Sequence, residues 1–444
     1  MKMKLIKLWE TLSVSFWFLP SIIISIGIGL AFLFVRLDAQ YNISFPGFLG
    51  LFTSGEAEGA RAVLSAIASS MMTIAGVIFS ITIVTLVLAS SQMGPRVLRN
   101  FIKSKLNQVV LGSYVASFIY CLLVLRVVTG TNGYAFVPTI SLAFAIIQAI
   151  ANILLLIFFI NHVSNSIQAD NVVGDLSQEL HHKIKVLFPE EIGKEKKEYR
   201  KSDALGDIDQ VKYQLTEILP ARTSNYLESI DQEKILAIAV KFDLILKLDY
   251  RPGHFVIKGC NFITVHSKLP LEESTGEAIY TCFNFSRRRS PTQDAEFVIS
   301  QIVEVAVRAL SPSLNDPFTV ITCVDKLGAA LCSLIAKEFP SSYRLDEQGN
   351  LRIIASAPAF EGMVDAAFNQ IRQYGKASAD ILIRLMETFA AMAEKARTKE
   401  QKEVILKHTQ MVQRAAEDNL EEPEDREDLK KRYLMVIKKL SDTA

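Results

Sequence analysis

The chain is poor in the residue patterns that mark chemistry. Its five cysteines, Cys121, Cys260, Cys282, Cys323 and Cys332, form no CxxC pair, so thiolate zinc sites and dithiol redox motifs are not expected. Free thiols are expected instead, because four of the five fall in the part read below as cytoplasmic. His181 and His182 are adjacent and cannot both face one metal from a helix, and no HExxH is present, so no metal site is expected. There is neither a Walker motif nor a GxGxxG, which leaves no glycine-rich loop to cradle a phosphate chain. No nucleophile–base pair or pair of carboxylates stands out, so no enzyme activity and no cofactor are expected. Excess charge of either sign is also missing: 48 basic residues face 47 acidic ones, which argues against nucleic acid as a partner.

Apolar sequence, by contrast, is abundant in the first third. Runs cover about Val14–Val35, Ala62–Ala89, Val109–Val128 and Phe136–Ile160. Each reaches the roughly 20 residues that a helix needs to cross a bilayer. Few long apolar runs follow. The pattern predicts four transmembrane helices over residues 1–162, a helical connector and charged linker over 163–222, a small β unit over 223–275, and a mainly helical cytoplasmic domain over 276–444. The fold class expected is therefore an α-helical membrane protein with a cytoplasmic α+β domain.

Basic residues orient the spans. Lys2, Lys4 and Lys7 precede the first, and Arg96, Arg99, Lys103 and Lys105 lie between the second and third. The other links carry Asp38, Glu56 and Glu58, with Arg36 and Arg61 at the helix ends. Positive charge marks the cytoplasmic side, so both termini are expected there, in a bacterial cytoplasmic membrane. The first run is too long and apolar for a cleaved signal peptide. Trp17 and Arg126 suit the membrane interfaces.

The second span carries Ser65, Ser69, Thr73, Gly76 and Ser80 at steps of three or four, hence on one helical face. Two readings follow: close helix packing, or the lining of a wet path through an oligomer. Thr82, Thr85, Ala89 and Gln92 make a second small, polar line. In the fourth span Gln148 and Asn152 lie one turn apart and need partners inside the bundle. His162 marks its exit. Pro189–Ser202 is a Lys/Glu-rich linker.

Between Thr223 and His266 short alternating runs, LILKLDY, FVIKG and NFITVH, argue for strands, preceded by a helix over Ser229–Val240. RPGHFVIKG resembles the turn of biotinyl and lipoyl barrel-sandwich modules, but no Met-Lys-Met hairpin accompanies it, so no covalent prosthetic group is expected. The triplet Arg287-Arg288-Arg289 reads as a solvated loop or an anion contact. From Asp294 a helix is interrupted by Asp294, Gln301, Glu304 and Arg308 on one side, with Glu304 and Arg308 placed to pair. It breaks at Ser311-Pro312, and Asp316 can cap a new helix starting at Pro317. These polar residues, with Asn315, either line a ligand or subunit contact or form the wet edge of a buried helix. Further helices are expected over Ala379–Lys395, Glu400–Asp418 and Asp428–Leu440, with EEPEDRED separating the last two.

ASSQMGPRVLRNF and QDAEFVISQIVEVAVRALSPSLNDPFTVI resemble signatures of a large bacterial family of predicted four-helix inner-membrane proteins, catalogued as a domain of unknown function. The resemblance implies a location in the bacterial cytoplasmic membrane and supplies no activity or catalytic residue. Three classes stay open: an oligomeric channel-like pathway with a cytoplasmic regulatory domain, a non-transporting scaffold or sensor that binds a partner or small ligand, and an enzyme, the least supported. Expected partners are the lipid bilayer and further copies of the chain.

Overall fold

The computed structural model describes residues 17–41, 57–95, 105–131, 134–166, 168–188, 213, 215–337 and 339–442. The basic residues Lys2 to Lys7, Arg96 to Lys103 and the linker at 189–202 lie outside them. The chain divides into two compact units, Met1–Asn171 and Val172–Ala444.

The first unit is a bundle of α1 (Phe18–Gln40), α2 (Ala57–Met93), α3 (Lys105–Val127) and α4 (Thr139–Ser166), with a small hairpin of β1 (Thr129–Thr131) and β2 (Tyr134–Phe136). These helices are apolar around most of their circumference, as lipid demands. Helix α3 is central and packs against the other three, burying Val110, Tyr114, Tyr120 and Val124. It meets α1 closely. A Cβ on Gly112 would lie 2.9 Å from Pro20 Cα, and one on Gly27 3.1 Å from Ala116 Cβ. Small residues set how near two helices come where lipid tails supply no hydrophobic drive.

Asn152 is the polar hub of this bundle. Its Oδ1 accepts from Ser113 Oγ (2.6 Å), its Nδ2 donates to Ser117 Oγ (2.7 Å) and Met71 Sδ (3.4 Å), and its carbonyl accepts from Tyr114 OH (2.6 Å). Gln148 differs: its Oε1 is buried with no partner among the described residues, so only one of the two amides found the inward partners its sequence position asks for. Asp38 is not a loop charge but a buried one. It accepts from Ile140 N (2.7 Å), Ser141 N (2.9 Å) and Ser141 Oγ (2.6 Å), so α1 caps the start of α4.

The second unit is α+β. It opens with α5 (Ala169–Leu187), whose first turn belongs to the other unit, and continues with β3 (Leu215–Pro220), β4 (Asn225–Ile230), α6 (Gln232–Lys241), β5 (Ile245–Leu248), β6 (Phe255–Val256), β7 (Asn261–Ser267), α7 (Glu273–Tyr280) and β8 (Phe283–Ser286). Then come α8 (Ala295–Ala309), α9 (Pro317–Ile335), β9 (Tyr343–Leu345), β10 (Leu351–Ala355), α10 (Phe360–Tyr374), α11 (Ala379–Lys395), α12 (Lys399–Asn419) and α13 (Pro423–Asp442). One sheet has the order β3-β7-β5-β10-β9, with β10 parallel to β5 and the other pairs antiparallel; the second is β6-β4-β8. Leu246, Val265, Phe262 and Ile279 lie in the core between sheets and helices.

Three expectations need correcting. The β unit starts earlier than 223, at Leu215, and draws β9 and β10 from the segment read as helical. Residues 225–230 are strand, and the helix begins only after Asp231, which caps it through Lys234 N. EEPEDRED separates the last two helices only through its first two residues: the break is at 420–422, Pro423 already starts α13, and Glu424 and Asp425 sit in its first turn, where the helix dipole favours them. A fifth helix, α9, is also long and apolar enough to cross a membrane. It packs against α8 and α11, and its Asp325 is held by Arg384 of α11 at 2.5 and 2.7 Å.

On β10 of the larger sheet, between β5 and the edge strand β9, Arg352 is a second polar hub. Its Nε donates to Asp346 Oδ2 (2.8 Å) and its Nη1 to Asp243 Oδ1 (2.6 Å), while Lys268 and Tyr213 also reach Asp243. These donors, Arg352 foremost and then Lys268, hold the Asp243 carboxyl well below the usual carboxylate range.

Candidate functional site

Two places gather the polar residues that the sequence singles out. The first is the outer face of α2. Alanines at 57, 60, 68 and 75, with Leu64, Met71 and Ile78, turn inward and bury. Ser65, Ser69, Thr73, Gly76 and Ser80 lie on the other side and are exposed. A Cβ on Gly76 would meet nothing within 4 Å. The close-packing reading of this stripe is therefore wrong for contacts within one chain, where alanine does that work. The physical reason is that a hydroxyl on a helix satisfies itself: Thr73 Oγ1 donates to Ser69 O at 2.9 Å, so nothing forces the stripe inward. The second small line splits, with Thr85 and Ala89 buried and Gln92 exposed.

The second place is the start of α8. Asp294 caps it, accepting from Phe297 N at 3.1 Å. The same carboxylate takes Arg289 Nε at 2.6 Å and Nη2 at 3.2 Å. Two residues on, Glu296 takes Arg251 Nη2 at 2.7 Å and lies 3.9 Å from Arg289. So the RPGH turn, the last arginine of the triplet and the helix start meet. Gly253 makes this possible twice over. Its φ is +93°, and a Cβ there would lie 2.0 Å from Asp294 Oδ2. His254 stands beside them; burial first, and Arg251 second, push its pKa below the ordinary histidine value. Gln293 fastens the segment to β4, donating to Ile230 O (3.2 Å) and accepting from Ile230 N (3.0 Å).

Two carboxylates face two guanidiniums here, so the cluster carries no spare charge, and its imidazole is neutral at neutral pH. Such an arrangement clamps a turn to a helix. Of the arginine triplet, Arg287 and Arg288 are exposed and Arg289 belongs to the clamp.

The remaining candidates do not join it. Gln301 is buried within α8, and Arg308 Nε lies 3.7 Å from Glu304 one turn earlier. Arg308 is about 20 Å along the helix from Asp294, at 1.5 Å per residue. Asn315 has φ +45° in the turn that follows. Asp316 caps α9 as its position before Pro317 suggests, accepting from Thr319 N (3.1 Å) and Thr319 Oγ1 (2.6 Å). The polar stripe is thus two separate structural ends rather than one pocket lining. The sequence does not mark Arg251, His254 and Glu296 as a group; the RPGH turn is the only signal of it. Among the described residues no group of three or more His, Cys, Asp or Glu side chains could hold a metal ion.

The chain matches the family model described as "Predicted membrane protein (DUF2254)" over residues 13–391. It is 27% identical over 416 residues to the uncharacterised protein Mb1321c of Mycobacterium bovis and to the uncharacterised protein Rv1290c of Mycobacterium tuberculosis, covering 92% of this chain and 78% of each relative. No solved structure matches it. A bundle of long apolar helices followed by an α+β region, and a family match over most of the length, lead to one statement: the chain belongs to the DUF2254 family of predicted membrane proteins, whose function is unknown.

Proposed function

We propose that this protein is a homo-oligomer of the bacterial cytoplasmic membrane in which the outer stripe of α2 meets its counterparts along a channel-like path, with the α+β unit as its cytoplasmic regulator. One observation carries the reading: Ser65, Ser69, Thr73, Gly76 and Ser80 face away from the chain's own bundle. Small, hydroxyl-bearing faces suit contact with another helix or with water better than contact with lipid tails. In this reading α1 to α4 cross the membrane and both termini are cytoplasmic. Helix α9 stays with the α+β unit, because more than half of its apolar stretch is buried there and its Asp325 is paired. The protein performs no catalysis and carries no cofactor.

Cysteines introduced one per variant test this. Disulfide cross-linking between copies is expected for Ser69→Cys and Gly76→Cys and absent for Ala68→Cys, which faces inward. Ion current from the purified protein in planar bilayers, blocked by a bulky side chain at Ser69, completes the case. Cross-linking at Ala68 in place of Ser69 sinks the oligomer, and a silent, well-folded protein sinks the path. The second reading, a scaffold or sensor, then stands. Its support is the turn between α8 and α9 together with the first turn of α9, which leave Leu314 and Phe318 exposed, Phe318 by 79%.

A further inference from the structure

Helices α10 and α12 run side by side in the same direction, and their facing charges form a ladder. At the first rung Lys407 Nζ lies 2.7 Å from Glu361 Oε1. At the second, His408 Nε2 lies 2.9 Å from Asp365 Oδ1, and Lys407 Nζ is 3.6 Å from the same oxygen. Two turns further along each helix stand Arg372 and Arg414, near enough for the charge of one to act on the other. This rung is like-charged. Among the described residues no carboxylate pairs with either guanidinium, and Arg372 Nε is buried without a hydrogen-bond acceptor. One turn back on the same face, Asn369 Oδ1 is buried without a donor. The amide of Asn369 donates through Nδ2 to Asp365 Oδ1 at 3.1 Å, which fixes which end is the oxygen. Burial first, and the charge of Arg414 second, lower the pKa of Arg372. The C-terminal turn of α10 favours a cation at this position, but it gives Nε no acceptor and does not account for a second cation opposite.

We infer that the Arg372–Arg414 rung, with Asn369 beside it, is a binding site for a phosphoryl-bearing anion. The count of unmatched groups selects the class. Two guanidiniums present forked donors that suit an oxyanion. The carboxamide oxygen of Asn369, one turn back on the same helix face, lacks a donor. An ionised carboxylate has acceptors only, whereas a phosphate monoester near its second pKa of about 6 carries both anionic oxygens and a P–OH. A soluble phosphate compound and a phosphomonoester lipid headgroup share this chemistry. The inference is independent of any path along α2.

The test uses the full chain in phosphatidylcholine nanodiscs near pH 6.5. Inorganic phosphate is titrated against chloride at matched ionic strength, by thermal shift and calorimetry. A second arm replaces part of the lipid with phosphatidic acid. Stabilisation is expected in at least one arm: the phosphate response identifies a soluble ligand, and the phosphatidic acid response alone identifies a headgroup. Arg372→Gln and Arg414→Gln are each expected to weaken it about tenfold, the loss of one charge-assisted contact. Arg414 is exposed, so its variant folds, and relief of repulsion should leave it at least as stable as the parent without anion. No stabilisation in either arm, or a response that both variants retain, overturns the inference.

Discussion

Asn152 and Arg352 are both buried polar hubs, one in each unit, and they are satisfied by different chemistry. Asn152 is uncharged and uses hydroxyls, a thioether and a backbone carbonyl from neighbouring apolar helices. Arg352 is charged and sits between two aspartates on an inner strand of the sheet. An apolar bundle punishes uncompensated charge, so neutral groups with several modest bonds prevail there. The α+β unit has water at its margins and concentrates ion pairs instead: Arg352, the clamp at Arg289 and Arg251, and the α10–α12 ladder. Even the charge buried in the bundle, Asp38, is spent on backbone amides at a helix start rather than on a cation.

Removing each hub measures the contrast. Arg352→Ala strands Asp346 and is expected to cost about 3–5 kcal/mol, the usual penalty for breaking a buried ion pair. Asn152→Ala should cost only about 1 kcal/mol, since hydrogen bonds between membrane helices are individually modest. Calorimetry that resolves the two units decides; equal losses would erase the distinction.

A comparison within the bundle separates inward from outward small residues. Gly112→Leu drives a side chain into Pro20 and should destabilise the bundle by about 3 kcal/mol, at the upper end of overpacking. Gly76→Leu meets open space, so the single chain should lose almost nothing, while assembly of copies suffers. Detergent unfolding and size-exclusion chromatography of the two variants report these outcomes, and a large loss for Gly76→Leu in the monomer would reverse the assignment of faces.

The smallest effect is one of pH and belongs to the α+β unit. Burial, more than Lys407 or Arg372, pushes His408 below the ordinary value of 6.5, while Asp365 pulls it up. The unfolded chain therefore takes the proton first as pH falls. Stability from this residue is full above about 6.5 and declines below it, with a slope of at most about 1.4 kcal/mol per pH unit. His408→Gln should flatten the stability curve between pH 7 and 5 in unfolding titrations; an unchanged slope would assign the titration elsewhere.

How legible was this in the sequence? The apolar runs gave the bundle because length and hydrophobicity act locally along one helix. Asp316-Pro317 gave a helix start for the same reason, and Ala379–Lys395 matches α11 at both ends. The orientation of α2 was not legible. In lipid both faces of a helix must be apolar or self-satisfied, so alanines at 60, 68 and 75 and hydroxyls at 65, 69 and 73 look alike until the neighbours are placed. The place of β10 in the sheet is hidden because its partner β5 lies about a hundred residues away and a parallel pair leaves no turn between its strands; the short antiparallel hairpin with β9 across residues 346–350 is its one local signal. The clamp at α8 needed the same kind of long-range knowledge: Arg251 and Glu296 are 45 residues apart.

The capping of α4 by Asp38 has a consequence for biosynthesis. The carboxylate emerges from the ribosome 102 residues ahead of the Ile140 amide that it accepts from. During that interval Asp38 has no amide partner in α4 and must keep its hydration at the end of α1. Only when α4, the last helix of the bundle, arrives can that carboxylate be dehydrated. Helix α1 is thus made early but locked late, and a chain stalled before residue 140 would present a nascent bundle whose opening helix is still held to water by one unmatched carboxylate.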